Sequence, residues 1–415
     1  MAASTNIWYV HPYAGGPGIG RYSRPFFLSR HWLATGAQAT VFTASNHHLL
    51  DEPQQAGAKV VEGVPYEFVK VGAYTGNGLG RLRNMAEFSW RFARQATAYA
   101  EQYGKPDAII ASSPHPYAFL ATDRVATRMG ARSVFEVRDL WPLSLVELAG
   151  VSPSHPLVRF TGWVERQAYR RADCVVSLLP NTLEHMTAHG LDAGRWAHVP
   201  NGVDVVGEAL TSSPESAHPC VQQVRDWSQQ GLMTVAYTGA LGRPNHVGSL
   251  IHAVSRLKAE GLRHVRALVV GRGEQEHELR QLIKSLALED EIQLHGQIPK
   301  AAVIDLLGFA SAGYISLRPE PLFRFGVSPN KLFDYMLAGL PVVFAVDAGN
   351  DPVSSARCGF TAHPDDPEAV AGALRQMART TSSERLEMGA RGRDYVLQHH
   401  SYGRLAETYL DLLRA

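Results

Sequence analysis

Polar residues at the start of a helix can do chemistry when nothing nearby neutralises them. The stretch Val327–Ala345, VSPNKLFDYMLAGLPVVFA, has that form. Ser328 and Pro329 read as N-cap and first helical residue, with the helix running to about Ala338 and stopping at Gly339. The free N–H groups of its first turn, with the helix dipole, suit anionic oxygens. Lys331 adds a mobile positive charge. Asp334, three residues on and on roughly the same face, can accept hydrogen bonds from sugar hydroxyls. The same residues also fit an ordinary capped helix whose Lys331 and Asp334 pair weakly in water.

Other candidates stand at the ends of apolar runs. Gly15, Gly16, Gly18 and Gly20 follow a first strand, Asn6–Val10. They suggest a dinucleotide fingerprint, but the second strand ends in Ser45 and Asn46, where an acidic residue would hold an adenosine ribose, and this argues against a nicotinamide cofactor. The alternative is a flexible loop where backbone approaches a ligand closely, with Arg21 adding charge or lying on the surface. Gly239 and Gly242 mark a turn after TVAYT. Arg243 and Arg272 each offer a cation for a diphosphate. A surface turn for Arg243, and an ion pair with Glu274 or Glu276 for Arg272, are the plain alternatives. Arg138 and Asp139 end a strand before LWP, as a charged pair in a site or as a capping salt bridge. His115, between prolines in SSPHPYAF, reads as a strand-end polar group or a loop histidine, and His11 is similar with less signal. The pairs His47–His48 and His399–His400 lack partners at metal-ligand spacing and read as surface. No metal site is expected.

The elements that must position these residues form two α/β series. A chain of 415 residues is long enough for two cores. Forty Lys and Arg against 39 Asp and Glu leave a net charge of +1, which offers no broad field for nucleic acid. The three cysteines are scattered, so a reduced, cytoplasmic protein is expected. Nothing at the N-terminus reads as a signal peptide, and no run of 18 apolar residues occurs. In the first series ATVFTAS, DAIIASS, RSVFEVRD and DCVVSLLP read as parallel strands covered on both faces; in the second, TVAYTG, RALVVG, IQLHG, AGYISL and PVVFAV do. The Ser- and Pro-rich residues 207–219 are the best boundary. The expectation is two doubly wound Rossmann-like domains, 1–206 and 207–392, facing across a cleft, with a C-terminal segment 393–415 that is helical with a break near His399–Gly403.

SPNKLFDYMLAG closely resembles the nucleotide-sugar segment of retaining glycosyltransferases of family 4, which have the GT-B fold. It is nearest to the subgroup that transfers N-acetylated aminosugars (L-fucosamine type) in O-antigen lipopolysaccharide and capsule assembly. GGPGIGRYSRPFFLSRHWLATGAQATVFTAS, FEVRDLWPLSLVELAG, VPNGVD, YTGALG and LVVGRGEQEHEL resemble further segments of that family in the expected order. The resemblance implies that Asp334 holds the ribose of the nucleoside diphosphate, within a donor segment including Gly326, Val327, Ser328, Asn330 and Lys331. The family's second acidic residue falls on Gly326 here, and Glu320 is out of register. Its arginine and lysine in the Gly239 turn fall on Ala240 and Asn245, leaving Arg243 or Arg272 for the diphosphate. Gly16, Gly18, Gly20 and Arg21 would lie near diphosphate and acceptor, and His115, Arg138 and Asp139 on the acceptor side. The resemblance further implies a UDP-sugar donor, no metal or other cofactor, and a last helix packed on the first domain.

Residues 81–96, RLRNMAEFSWRFARQA, put Arg81, Arg83, Arg91 and Arg94 on one predicted helix with Leu82, Met85, Phe88, Trp90 and Phe92. Such a helix reads as lying on an anionic membrane or as packing on the sheet with arginines outward. The resemblance favours the membrane, because the usual acceptors are polyprenyl-diphosphate-linked sugars, or other saccharides, at the inner membrane face. Two rivals share the fold: a nucleotide-sugar epimerase and a transferase-like binding protein without activity.

Overall fold

The computed structural model describes residues 4–74, 76, 79–205 and 218–414. Packing divides the chain into two compact units, Met1–Asn201 with Tyr402–Ala415, and Gly202–Ser401.

The first unit runs β1 (Asn6–Val10), α1 (Arg24–Ala34), β2 (Gln38–Ala44), β3 (Gly57–Val61), β4 (Val64–Val69), α2 (Leu79–Tyr103), β5 (Ala108–Ser113), α3 (Tyr117–Met129), β6 (Arg132–Val137), α4 (Leu143–Glu147), α5 (Pro156–Arg171), β7 (Cys174–Ser177), α6 (Leu183–Ala188) and β8 (Trp196–His198). Its eight strands lie in the order β3-β4-β2-β1-β5-β6-β7-β8, parallel except for β3 against β4. Strand order reverses beside β1, so the crevice for a ligand lies beyond the ends of β1 and β5. Alternate side chains of β1 serve two cores: Ile7 and Tyr9 pack with Trp32 of α1, Trp8 and Val10 with Phe88 and Phe92 of α2. The β3–β4 hairpin is not foreseen above. Its turn residues Glu62 and Gly63 have φ of 44° and 84°, the left-handed pair of a tight hairpin.

The second unit runs α7 (Pro219–Gln229), β9 (Met233–Thr238), α8 (Gly248–Ala259), β10 (Val265–Val270), α9 (Glu276–Ser285), β11 (Ile292–His295), α10 (Lys300–Phe309), β12 (Ala312–Ser316), α11 (Asn330–Leu337), β13 (Val342–Ala345), α12 (Pro352–Ala356), β14 (Gly359–Ala362), α13 (Pro367–Arg379) and α14 (Ser382–His399). Its sheet, β11-β10-β9-β12-β13-β14, is wholly parallel with its switch point between β9 and β12. Helices α8, α9 and α13 cover one face, and α7, α10, α11 and α14 the other. The expected boundary 207–219 lies almost wholly outside the described residues.

The chain returns to the first unit at Tyr402, where α15 (Tyr402–Arg414) begins, rather than at residue 393. The reason is close packing of α14: a Cβ on Gly389 would sit 1.8 Å from the Gly339 carbonyl oxygen that closes α11. Helix α15 then packs on α1, and the Trp32 indole donates to the Ala406 carbonyl at 3.0 Å.

Candidate active site

In the second unit, three loops and one helix meet at the ends of β9, β10 and β12. The turn after β9 is tied to the loop after β10: Gly239 N–H donates to Val270 O and Leu241 N–H to Arg272 O, both at 2.9 Å. A Cβ on Gly271 would lie 1.8 Å from Gly239 O, so only glycine lets these backbones approach. The Ser316 hydroxyl, at the end of β12, donates to the carbonyls of Asn245 and His246, at 2.7 and 3.1 Å. Helix α11 is pinned to the same place, because Tyr335 Oη accepts from Thr238 N–H at 2.7 Å.

Lys331, on the first turn of α11, reaches back to the end of β9. Its ammonium donates to Tyr237 Oη at 3.0 Å and to Asn245 Oδ1 at 2.6 Å, and lies 4.5 Å from the Tyr237 ring centre. Among the described residues no carboxylate pairs with it, and burial pushes its pKa down to about 8. Asn245, where the family resemblance expects a lysine, is an acceptor for this one; a second ammonium there would repel the first.

Asp334, one turn on, presents an exposed side chain. Desolvation by surrounding protein still raises its pKa, with Lys300 opposing. The exposed surface decides whether a ligand can reach it, and it can.

Several expectations about the opening of α11 change. The helix starts at Asn330 with Pro329 at the cap position, and no side chain caps it, so Ser328 is not the N-cap. Asn330 is exposed, while Gly326 and Val327 are buried. Asn350, unnoticed in the sequence, grips Val327 on both sides: Val327 N–H donates to Oδ1 at 2.7 Å and Nδ2 donates to Val327 O at 3.0 Å. Gly326 has φ 102°, ψ 173°, a conformation essentially reserved for glycine. The missing acid is therefore excluded by the backbone. Gly326→Glu is expected to lower stability by about 1–3 kcal/mol without gain of nucleotide affinity; thermal melts and calorimetry would check this, and unchanged melting would refute it.

Arg243 and Arg272 are both exposed. The ion pair considered for Arg272 does not form: Glu276 pairs with Arg280 at 2.9 Å, and Glu274 accepts from Arg243 N–H at 3.2 Å. Among the described residues no carboxylate pairs with the Arg272 guanidinium at the end of β10.

In the first unit the glycine loop is folded and pinned rather than flexible. Gly15 N–H donates to Tyr22 O at 2.8 Å, Gly16 and Gly20 bridge each other, and Arg21 N–H donates to Leu49 O at 2.9 Å. A Cβ on Gly15 would lie 2.5 Å from Gly20 C, and one on Gly20 2.7 Å from Leu49 O, so these glycines serve backbone packing. Gly16 is buried too; Gly18 at the tip (φ 66°) and Arg21 are exposed.

The ends of β1, β5 and β6 bring His11, His115, Arg138 and Asp139 to the switch-point edge of the first sheet. His11 accepts from Tyr13 N–H through Nδ1 at 3.0 Å, which puts its proton on Nε2, and that atom has no partner. His115 is 2% exposed with neither ring nitrogen bonded, and burial drives its pKa down to about 3, so it is neutral. Buried imidazole nitrogens without partners are uncommon and suit a ligand hydroxyl. The Arg138 guanidinium lies 3.9 Å from the Tyr22 ring centre, and exposed Asp139 follows it. Stacked rings lead outward from His115: Tyr117 at 5.1 Å, then Phe160 at 5.9 Å, then Trp163 at 6.1 Å, the last two 53% and 46% exposed.

Two surface expectations are corrected, and for α2 the structure has the sheet-packed of the two arrangements considered. His47 and His400 are buried; His47 bonds Ala14 O at 3.2 Å, and His400 stacks on Phe333 at 4.0 Å. Met85, Phe88 and Phe92 of α2 turn into the core, leaving Trp90 exposed with Arg94 5.2 Å from its ring centre. Arg81 instead stacks on Tyr13, 5.2 Å from its ring centre. Among the described residues no helix is long and apolar enough to cross a membrane. A cavity of about 580 Å³ in the second unit, lined by Ser228, Met233, Pro341 and Arg385, opens at the opposite ends of the strands and is no part of this site.

Residues 18–202 match the family described as glycosyl transferase 4-like domain, and residues 233–380 the family glycosyl transferases group 1. No curated protein matches the chain. Among solved structures, sucrose-phosphate synthase from Thermosynechococcus elongatus is similar over 99% of this chain and 98% of its own, at 17% identity and TM-score 0.70. Anabaena HepE in complex with UDP is similar over 99% of both chains, at 17% identity and TM-score 0.68. WaaG, a glycosyltransferase involved in lipopolysaccharide biosynthesis, is similar over 98% of this chain and 99% of its own, at 16% identity and TM-score 0.65. The fold is GT-B, two Rossmann-like α/β domains. The chain belongs to the glycosyltransferases.

Proposed function

We propose that the chain is a retaining family 4 enzyme that moves a sugar, an N-acetylated hexosamine, from a UDP-sugar to a lipid-linked or saccharide acceptor in cell-surface polysaccharide assembly. The observation that carries the donor half is Lys331: a half-buried ammonium with no carboxylate partner among the described residues, at the switch point of the second sheet, one turn from an exposed Asp334. A nucleoside diphosphate supplies the missing anion there, and its ribose supplies hydroxyls for Asp334. Arg272 adds charge at the next strand end. The solved complexes of HepE with UDP and with UDP-glucose support this donor class.

On the acceptor side, the unbonded nitrogens of His115 and the ring series Tyr117–Phe160–Trp163 suit a saccharide, which offers hydroxyls and apolar ring faces. The acceptor oxygen would bond to the anomeric carbon on the face from which the diphosphate leaves, its proton passing to a diphosphate oxygen, with Asp139 orienting it. Arg272 and Lys331 stabilise the charge that develops on the leaving diphosphate, and no metal is needed for that. Contact with the cytoplasmic face of an anionic membrane would use Trp90, Arg83, Arg91 and Arg94, since the apolar side of α2 is spent on the core.

Calorimetry with UDP, GDP, ADP and NAD tests the donor half. Selective UDP binding that disappears in Asp334→Ala is expected. Selective binding of another nucleotide would reassign the donor, and binding of none would favour an inactive relative. UDP-sugar turned into an epimer without acceptor would instead mark an epimerase.

A further inference from the structure

The first unit holds a second cluster of donor groups, away from the ends of its strands. Glu165 lies midway along α5, His185 on α6, and His189 just past the end of α6. One ligand atom from each lies within 4.8 Å of the others. His185 and His189 are four apart, so a single helical turn stacks them, with ring centres 4.3 Å apart. Nothing in the glycosyltransferase reading uses any of the three.

Their second contacts orient them as ligands. His189 Nδ1 lies 2.7 Å from the His185 carbonyl oxygen. A carbonyl can only accept, so Nδ1 carries the proton and Nε2 keeps a free lone pair, the tautomer that metal-bound histidines show. The Glu165 carboxylate is 2% exposed and accepts from the Tyr169 hydroxyl at 2.9 Å, which fixes its rotamer. Among the described residues no lysine or arginine pairs with it; its nearest basic atom is His185 Nε2, at 4.0 Å. Two imidazoles with a carboxylate are a zinc-type donor set.

We propose that Glu165, His185 and His189 bind one divalent transition-metal ion of the zinc class, clamping α6 against α5. Donor atoms around tetrahedral zinc are roughly 3.3 Å apart, given bond lengths of about 2.0–2.1 Å. Side-chain rotations that draw the three together by up to about 1.5 Å complete the site. Both histidines are partly exposed, so the ion can enter and water can fill the fourth position. The ion is structural, acting in the first unit only, and this inference stands apart from the proposed transfer.

The full chain, stripped with chelator, is titrated with Zn²⁺ by calorimetry at pH 7.5, and Co²⁺ is added separately to read its visible ligand-field spectrum. The expected result is one equivalent bound, a tetrahedral Co²⁺ spectrum, and melting raised by roughly 5 °C at a hundredfold excess over Kd. His189→Ala and Glu165→Gln are each expected to weaken binding tenfold or more, while His48→Ala and His399→Ala leave it unchanged. His189 is partly exposed at the end of α6, so that variant is expected to keep the fold, which circular dichroism verifies. Absence of saturable binding, or binding that survives His189→Ala within twofold, would overturn the proposal.

Discussion

Lys331→Ala is expected to lower UDP affinity about 100-fold, and the wild-type affinity itself is expected to fall above pH 8. A hydrogen bond to a charged group contributes roughly 1.5–3 kcal/mol, and here it acts in partly desolvated surroundings. Among the described residues Lys331 donates to Tyr237 Oη and Asn245 Oδ1 alone, both neutral, so the diphosphate would be its first anionic partner there. The pH dependence has a definite sign. Protonated lysine binds the anion and neutral lysine does not. An ordinary lysine stays charged to about pH 10.4, but burial brings this one down to about 8. Affinity is therefore level below pH 8 and drops about tenfold per unit above it, while Lys331→Ala loses that dependence. Calorimetry with UDP from pH 7 to pH 10 measures both. A flat profile to pH 10, or an alanine variant within threefold of wild type, would remove Lys331 from the donor site.

The part of this site that could be read from sequence is the part that is local. SPNKLFDYMLAG contains the helix start, the lysine and the aspartate in one run. Buried parallel strands such as Asn6–Val10 print as apolar stretches with polar ends, so ten strands were legible in that way. The β3–β4 hairpin was not, because Gly57–Val61 is largely exposed and lacks such a run. The four residues of β14 are too few to show a pattern. Partners of Lys331 lie 86 and 94 residues away, so nothing in the stretch announces that Asn245 would orient it. Gly326 looked like a lost acid, and only its φ of 102° reveals a backbone requirement. For α2, composition left open a helix lying on a membrane and one packed on the sheet, because facing cannot be read without the sheet. Phe88 and Phe92 point inward because Trp8 and Phe42 await them.

Arg24→Ala is expected to destabilise the first unit by about 3–5 kcal/mol, lowering its melting temperature by roughly 10 °C. Arg24 and Glu136 are both buried, and the guanidinium donates to Glu136 Oε2 at 3.0 Å and to the Val199 and Pro200 carbonyls at 3.0 and 2.5 Å. Glu136 also accepts from Tyr9 at 2.5 Å, from Ser112 at 2.6 Å and from Tyr409 of α15. One ion pair thus gathers α1, three adjacent strands, the segment that leaves the first unit and the helix that returns to it. Removing the arginine strands a carboxylate with no water, which is why the single substitution exceeds the net value of the pair. Burial alone would raise the Glu136 pKa, but Arg24 and the hydroxyls outweigh it and hold it below the ordinary range. Since the folded-state pKa is depressed, this stabilisation is complete above the unfolded carboxylate pKa of about 4.3 and is lost as pH falls below it. The double change Arg24→Met with Glu136→Leu should recover much of the loss, because no charge is then left buried. Thermal melts of the three proteins at pH 7 decide it. A drop under 2 °C in Arg24→Ala would mean that the pair contributes little. A double variant no more stable than the single would assign the effect to packing instead. Glu136 is two residues from Arg138, so loss of this network should also displace the polar end of β6 and weaken the acceptor side before it touches UDP binding in the second unit.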